Sequence, residues 1–140
     1  MEKFTQNLVI GIEEIDGQHK AIFNFFNELY DSIHNKTEGY NLEKAFFFLK
    51  DYVVFHFSRE EEYMQKYSYP EYEYHKSQHE HFIEQLEQKQ REFLLAGESV
   101  KIELLVWLYF WFKKHILSVD KTMGAFLQHK MGQPQDPSGQ

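Results

Sequence analysis

The sequence predicts an all-α protein, an up-down-up-down antiparallel four-helix bundle with an N-terminal arm. Apolar residues recur at helical spacing in four segments, capping and helix-breaking residues separate these segments, and no segment alternates at period two as a half-buried strand does. Consecutive helices joined by connections of a few residues pack antiparallel. With 140 residues, 42 % of them apolar and 18 % aromatic, the chain has ample material for one core.

The first two helices are bounded by capping residues and by a proline. The first begins near Asp16, a residue type that caps helix N-termini, which leaves the residues before it as the arm. It ends before the segment 35–40, which contains a glycine. The second begins near Asn41 and ends before Pro70, because proline cannot continue a helix.

The third and fourth helices are bounded in the same way. The third runs from about Pro70 to Ala96, since proline is favoured in a first helical turn and Gly97 is a typical helix stop. Ser99 is the predicted N-cap of the fourth helix. The predicted inner stripe of that helix contains Ile102, Leu105, Tyr109, Phe112, His115, Ile116 and Met123.

The last nine residues have the composition of a loose tail, with two prolines and two glycines among them. We therefore expect one domain over residues 1–131 and a flexible C-terminal tail over residues 132–140.

The composition argues against several classes of function. There are no cysteines, so a bound metal must be held by histidine and carboxylate side chains. The net charge is −7 and basic residues are interspersed with acidic ones, so nucleic acid is not an expected partner. The longest uncharged apolar run, Leu104–Phe112, is too short for a membrane span. The N-terminus, Met1–Phe4, lacks the features of a signal peptide, so we expect a cytoplasmic protein.

Eight histidines in 140 residues prompt a search for a metal site. Each predicted helix carries at least one histidine on the same face as its apolar residues. A single buried imidazole usually just hydrogen-bonds to a neighbour. Burying five imidazoles and two carboxylates is too unfavourable unless something pairs with them, and a pair of metal ions is the simplest partner.

Two pairs of residues have the spacing of shared metal ligands. His56 and Glu60 are four residues apart, as are His75 and His79. Each pair therefore stacks on one helical face, about 6 Å apart along the helix axis. The two glutamates that follow Glu60 lack this spacing from His56.

The remaining three candidates are His19 near the start of the first helix, and His115 and Asp120 late in the fourth. His115 and Asp120 are five residues apart, about 140° out of phase on an ideal helix, which predicts a local widening or distortion there. In an antiparallel bundle, the starts of odd-numbered helices meet the ends of even-numbered ones. All the candidate ligands therefore fall at one level of the bundle.

Together these motifs resemble those of the hemerythrin family, in particular its stand-alone bacterial members. The family has a histidine in the first helix, HxxxE in the second, HxxxH in the third and HxxxxD in the fourth. The resemblance covers roughly residues 1–130. The matching residues here are His19, His56, Glu60, His75, His79, His115 and Asp120.

The resemblance implies a cofactor of two iron ions joined by an oxo or hydroxo bridge. It assigns one iron to three imidazoles, those of His75, His79 and His115. It assigns the other iron to two imidazoles, those of His19 and His56. It gives Glu60 and Asp120 as bridging carboxylates.

Reversible dioxygen binding, without enzymatic turnover, is the function that the resemblance implies. Two six-coordinate ions offer about twelve positions. Five imidazoles, two bridging carboxylates and one solvent-derived bridge leave one vacancy, on the iron with two histidines. The family usually has Trp-Leu where this chain has Trp111-Phe112, and the larger ring is expected to narrow the dioxygen pocket. The residues expected to line this pocket are Ile22, Phe23, Phe57, Phe82, Trp111, Phe112 and Ile116.

Three alternatives stay open at this point. The same centre could serve a di-iron oxidase, a peroxidase or a nitric oxide-handling enzyme, although five histidines favour reversible binding and the ligands lack the ExxH motifs of ferritin-like enzymes. A sensor would need a separate, unidentified protein partner. A third alternative is a purely structural metal. Three histidines match no ligand position and are expected at the surface: His34, His81 and His129.

Overall fold

A computed structural model describes residues 4–35, 41–96 and 101–133, and it shows an all-α bundle with no strand in these ranges. The elements in chain order are a 3-10 turn at Gln6–Leu8, α1 at Glu13–His34, α2 at Leu42–Lys66, α3 at Tyr72–Ala96, α4 at Lys101–His115, a π-helical turn at Ile116–Asp120 (the π turn) and α5 at Lys121–Met131. α4, the π turn and α5 are continuous and form the fourth helix of the bundle. α1 packs against α2 and α4, α2 against α3, and α3 against α4. This neighbour order is that of the predicted up-down-up-down bundle.

The boundary between α2 and α3 follows the sequence closely. Asn41 is the N-cap of α2, as predicted, and its side-chain oxygen accepts a hydrogen bond from the backbone N–H of Lys44 at 3.0 Å. α3 begins two residues after Pro70, because the chain first makes a turn in which the N–H of Tyr72 bonds to the carbonyl of Tyr69 at 3.2 Å.

The predicted start of α1 at Asp16 is wrong, since the helix begins three residues earlier with Ile12 at its N-cap position. The apolar stripe extends past Asp16, because Ile12 and Ile15 are both buried in the core. The Asp16 carboxylate instead accepts hydrogen bonds from the backbone N–H groups of Ile10 at 2.8 Å and Gly11 at 3.1 Å. Asp16 therefore ties the N-terminal arm to α1.

The inner stripe of the fourth helix has one error. Ile102 is 43 % exposed, whereas the other six predicted members are buried. Ile102 precedes Leu105 by three residues, which turns it about 60° to one side of the stripe. The predicted helix stop at Gly97, the predicted cap at Ser99 and residues 134–140 of the predicted tail lie outside the described residues.

The N-terminal arm packs onto the fourth helix and closes one side of the core. Leu8, Ile10 and Ile12 are buried. Gly124 in α5 makes this possible, because a Cβ atom there would lie 2.5 Å from the backbone oxygen of Ile10. In the part of the chain that the structure describes, no helix is both long and apolar enough to cross a membrane.

Candidate metal centre

Seven buried polar side chains converge near one end of the bundle, each less than 5 % exposed. α1 contributes one of them, α2 two, α3 two, α4 one and the π turn one. They are the seven ligands predicted from the sequence: His19, His56, Glu60, His75, His79, His115 and Asp120.

Their ligand atoms form two overlapping groups, and in each group the atoms lie within 4.8 Å of one another. The three-histidine group contains His75, His79 and His115 with both carboxylates. The two-histidine group contains His19 and His56 with the same carboxylates. Because the carboxylates, those of Glu60 and Asp120, belong to both groups, the arrangement has the form of a site for two ions joined by two bridges.

The Glu60 carboxylate turns one oxygen toward each group. Its Oε2 lies 3.4 Å from His19 Nε2 and 3.2 Å from His56 Nε2. Its Oε1 lies 3.4 Å from His75 Nε2 and 3.0 Å from His79 Nε2. A carboxylate with imidazole nitrogens on both sides is placed to bind two cations at once.

Asp120 is placed in the same way from the opposite helix. Its Oδ2 lies 3.1 Å from His19 Nε2. Its Oδ1 lies 3.0 Å from His75 Nε2 and 3.1 Å from His115 Nε2. All five imidazoles therefore present Nε2 to the centre.

The π turn is what brings Asp120 to the same face as His115. The two residues are five positions apart, and a π-helical turn closes over five residues where an α-helical turn closes over four. This confirms the predicted distortion of the fourth helix. Ser118 accommodates the irregular backbone, since its hydroxyl donates to the carbonyl of Lys114 at 2.6 Å.

The centre has the electrostatic character of a cation site. Eleven buried side-chain nitrogen and oxygen atoms of the described residues have no hydrogen-bond partner, and all of them belong to the seven converging residues. Buried polar atoms without partners are costly and rare in folded proteins. Cations coordinated by the Nε2 and carboxylate atoms would satisfy nine of the eleven, so the donor set fits bound metal.

Without metal, the imidazoles and carboxylates of the centre stabilise each other's charges. Burial acts to lower the pKa of His19, but the nearby carboxylates of Asp120 and Glu60 outweigh this effect and raise that pKa to about 9. At His75 the same two carboxylates also outweigh the effect of burial, and the pKa of His75 rises to about 9. Burial acts to raise the pKa of Glu60, but the adjacent imidazoles, His56 foremost, hold it well below its ordinary value. The metal-free centre therefore stores protons that cations must displace.

A model of a protein family described as the hemerythrin HHE cation binding domain matches residues 10–127. The chain belongs to the hemerythrin family. It is 34 % identical over 130 residues to the bacteriohemerythrin of Pseudomonas aeruginosa, an alignment that covers 93 % of this chain and 84 % of that protein. It is 31 % identical over 116 residues to the bacteriohemerythrin of Clostridium acetobutylicum, which covers 80 % of this chain and 90 % of that protein.

Solved hemerythrin structures share the fold. A wild-type hemerythrin crystal structure superposes with a TM-score of 0.79 at 30 % sequence identity, over 91 % of this chain and 97 % of that chain. The hemerythrin match and the geometry thus agree on a cation site built from one bundle of helices.

Two residues missed by the sequence argument hydrogen-bond to the outer nitrogens of the hemerythrin histidines. Gln18 Oε1 lies 2.8 Å from His56 Nδ1. Glu61 Oε2 lies 2.9 Å from His79 Nδ1. Such outer partners orient imidazole ligands. No sequence signal singles out Gln18, because a glutamine one position before a histidine has no distinctive spacing.

Aromatic rings cover the three-histidine group. The Phe57 ring stacks on His79 at 3.8 Å between centroids, and the Trp111 ring stacks on His115 at 4.5 Å. Phe112 is fully buried, 6.0 Å from the Phe57 ring. These contacts keep water away from the imidazoles on that side.

The other predicted pocket residues are buried, but the ring contacts of two of them lie farther from the centre. Phe23 contacts the rings of Phe26 and Tyr109, and Phe82 contacts those of Phe57 and Trp111, among others. Ile22 and Ile116 have no exposed surface. The three remaining histidines, His34, His81 and His129, are exposed, as predicted.

Proposed function

We propose that this chain binds dioxygen reversibly at a non-haem di-iron centre. The observation that carries the proposal is the pair of overlapping ligand groups that share two buried carboxylates. Imidazole and carboxylate without thiolate suit iron, and membership of the hemerythrin family supports that choice of metal.

The ligands divide unevenly between the two ions. One iron would be held by the imidazoles of the three-histidine group and the other by those of the two-histidine group, with Glu60 and Asp120 bridging. A solvent-derived oxo or hydroxo bridge would complete the cofactor. Two octahedral ions offer about twelve positions, and this donor set fills all but one. The remaining position would belong to the ion held by His19 and His56, and dioxygen would bind there.

When bound, the two irons supply the two electrons that dioxygen takes up and returns. The residues around the two irons would hold the ligand side chains in place and exclude water. Phe57 and Trp111 stack against His79 and His115, and Phe112 fills the core behind them. An apolar surround slows proton-assisted oxidation of the centre, which favours release of intact dioxygen over its cleavage.

Anaerobic reduction followed by titration with air tests the proposal, with iron counted per chain. We expect two irons, and a stable oxygenated spectrum that reverts when dioxygen is removed. Fewer than two irons, or no spectral change in air, would contradict the proposal. Rapid conversion to the diferric form with turnover of a substrate or of nitric oxide would instead identify an enzyme that uses the same centre.

A further inference from the structure

A continuous chain of hydrogen bonds runs from the protein surface to His56 in the two-histidine group. Arg59 donates to Glu14 through Nε at 2.5 Å and Nη2 at 2.8 Å, and Tyr63 donates to the same carboxylate at 2.9 Å. Gln18 Nε2 donates to Glu14 Oε2 at 3.1 Å, and Gln18 Oε1 faces His56 Nδ1 at 2.8 Å. The chain of bonds leaves α2 at Arg59, crosses α1 and returns to α2 at His56.

Arg59, at the surface end of this series of hydrogen bonds, fixes which group donates and which accepts in each bond. A guanidinium only donates, so the Glu14 carboxylate accepts. The hydrogen bond from Arg59, with further donors, holds the pKa of Glu14 at about 2, so this carboxylate stays an acceptor. The Gln18 amide must then turn its NH2 toward Glu14 and its carbonyl oxygen toward His56.

The carbonyl oxygen of Gln18 in turn dictates the state of the imidazole. An amide oxygen accepts but cannot donate, so His56 Nδ1 must carry the hydrogen. In a neutral imidazole the lone pair then lies on Nε2, the atom that faces Glu60 Oε2 at 3.2 Å. This is the tautomer that binds a metal ion at the centre.

We infer that Gln18 is the positioning residue of the two-histidine group: it fixes the ring orientation and tautomer of His56, and the Arg59–Glu14 pair fixes Gln18. This inference rests on the proposed di-iron function. Gln18 is the outer partner on which this group depends, because His19 Nδ1 has no hydrogen-bond partner among the described residues. The three-histidine group has a separate outer partner, Glu61, on His79.

If Gln18 positions His56, its replacement should weaken the binding of one of the two metal ions and leave the other unaffected. Outer hydrogen-bond partners of ligating histidines are worth about 10–100-fold in metal affinity. Replacing Gln18 with leucine keeps the side chain's approximate size but removes the acceptor. One equivalent of metal should therefore bind about 10–100-fold more weakly, while the equivalent in the three-histidine group keeps its affinity.

The experiment is a titration of the metal-free full chain with Co²⁺ against a competing chelator, followed by visible absorption and proton NMR. The variants are Gln18→Leu, Glu14→Ala, and the exchanged pair Glu14→Gln with Gln18→Glu. Gln88→Leu is the matched control, since Gln88 is an exposed amide on α3. We expect Gln18→Leu to weaken one equivalent and to lose one slowly exchanging, paramagnetically shifted imidazole N–H resonance.

The exchanged pair distinguishes a positioning role of Gln18 from a purely structural one. It restores an acceptor for His56 and a donor–acceptor contact between positions 14 and 18, so it should bind both equivalents nearly as tightly as the wild type. Glu14→Ala, which alters a partly exposed side chain, should cause a smaller loss in the same equivalent. If Gln18→Leu does not fold, these two variants decide the matter.

Several outcomes would overturn the inference. Equal weakening of both equivalents in Gln18→Leu, no weakening, or a folded exchanged pair that stays weak would each exclude a positioning role. Two equivalents in the wild type with no effect of Gln18 would leave the proposed function intact. Fewer than two equivalents in the wild type would contradict both.

Discussion

At the scale of single residues, the centre depends on Glu60 because four imidazole nitrogens surround its two oxygens at 3.0–3.4 Å. Glu61 and Glu62 follow it directly but serve other partners. Glu61 bonds to His79 Nδ1, and Glu62 pairs with Arg59. The four-residue spacing from His56 separates these roles correctly, since only Glu60 shares the inner face with that histidine.

Replacing Glu60 with glutamine should abolish the paired site. The amide keeps the shape of the carboxylate but cannot bridge two cations, and its NH2 would face imidazole nitrogens of one group. We expect Glu60→Gln to retain at most one iron per chain and to lose the oxygenated spectrum. Metal analysis and air titration measure both effects. Glu80→Gln, an exposed change on α3, is the control and should keep two irons.

Phe112 is the residue at which the sequence is expected to depart from the usual family pattern. It is fully buried and contacts the rings of Phe26 and Phe82 at 5.8 and 5.3 Å. Phe112→Leu should lower the free energy of unfolding by about 1–2 kcal/mol, less than the 3–5 kcal/mol typical of Phe→Ala. Urea unfolding of the metal-free protein measures this loss.

The same substitution opens space beside Phe57 and should admit water to the centre. We therefore expect faster autoxidation of the oxygenated form in Phe112→Leu than in the wild type, followed as decay of its visible spectrum. An unchanged or slower decay would mean that the ring at position 112 plays no part in shielding the centre.

At the scale of elements, the sequence predicted which side chains converge, but it predicted only in part the local structures that position them. The four-residue pairs on α2 and α3 follow directly from α-helical geometry. The five-residue step from His115 to Asp120 predicted a distortion but not its form, which is the π turn. The sequence did not predict a role for Gln18, because a glutamine one position before a candidate ligand has no distinctive spacing. Only the packing of α1 against α2 brings its side chain to His56.

The start of α1 at Glu13 differs from the predicted start at Asp16 for a related reason. Asp16 has the chemistry of an N-cap, and the sequence cannot tell whether its carboxylate caps its own helix or binds a preceding segment. The structure shows that it binds Ile10 and Gly11 of the arm. Burial of Ile12 and Ile15 then extends the helix backward.

The docking of the arm on α5 leads to a prediction at this scale. A Cβ atom at position 124 would lie 2.5 Å from the Ile10 oxygen, whereas one at position 17 would meet nothing within 4 Å. Gly124→Ala should therefore destabilise the metal-free protein by about 1–3 kcal/mol. Gly17→Ala, in an exposed position of α1, should stabilise it by about 0.5–1 kcal/mol.

Thermal and urea unfolding measure the stability of the two glycine variants against the wild type. We expect the free energy of unfolding to fall in Gly124→Ala and to rise in Gly17→Ala. If Gly124→Ala is as stable as the wild type, the arm does not pack on α5 in solution. Since Gly17→Ala tests helix propensity alone, it also shows whether the assay resolves effects of this size.

At the scale of the whole molecule, folding and metal binding should be coupled, because all four helices of the bundle bring candidate ligands to one interior point. The bundle places seven polar side chains among apolar ones, and their buried nitrogen and oxygen atoms without hydrogen-bond partners converge on one point. Because metal ions would bind the folded arrangement and not the unfolded chain, loading two ions should raise the unfolding temperature.

Proton release on metal loading follows from the raised pKa values of about 9 at His19 and His75. Below pH 9 both imidazoles carry a proton that coordination through Nε2 must displace, while Glu60 and Asp120, with pKa values well below normal, are already ionised. Loading at pH 7 should therefore release at least about two protons per chain, and metal affinity should rise as the pH rises toward 9. A pH indicator in weakly buffered solution measures the release when Zn²⁺ is added to metal-free protein.

The same pKa shifts fix the sign of the stability change in the metal-free protein. A folded pKa above the unfolded value of 6.5 contributes stability that is full below pH 6.5 and is lost as the pH rises through about 9. The metal-free chain should thus unfold more easily at pH 9 than at pH 6.5. In the metal-loaded chain those imidazoles would be neutral at either pH, with metal in place of the Nε2 proton, so its urea midpoint should not fall over that interval. A fall of equal size in both forms would show that groups outside the centre govern the pH dependence, and release of no protons at pH 7 would exclude the charge-paired state of the empty centre.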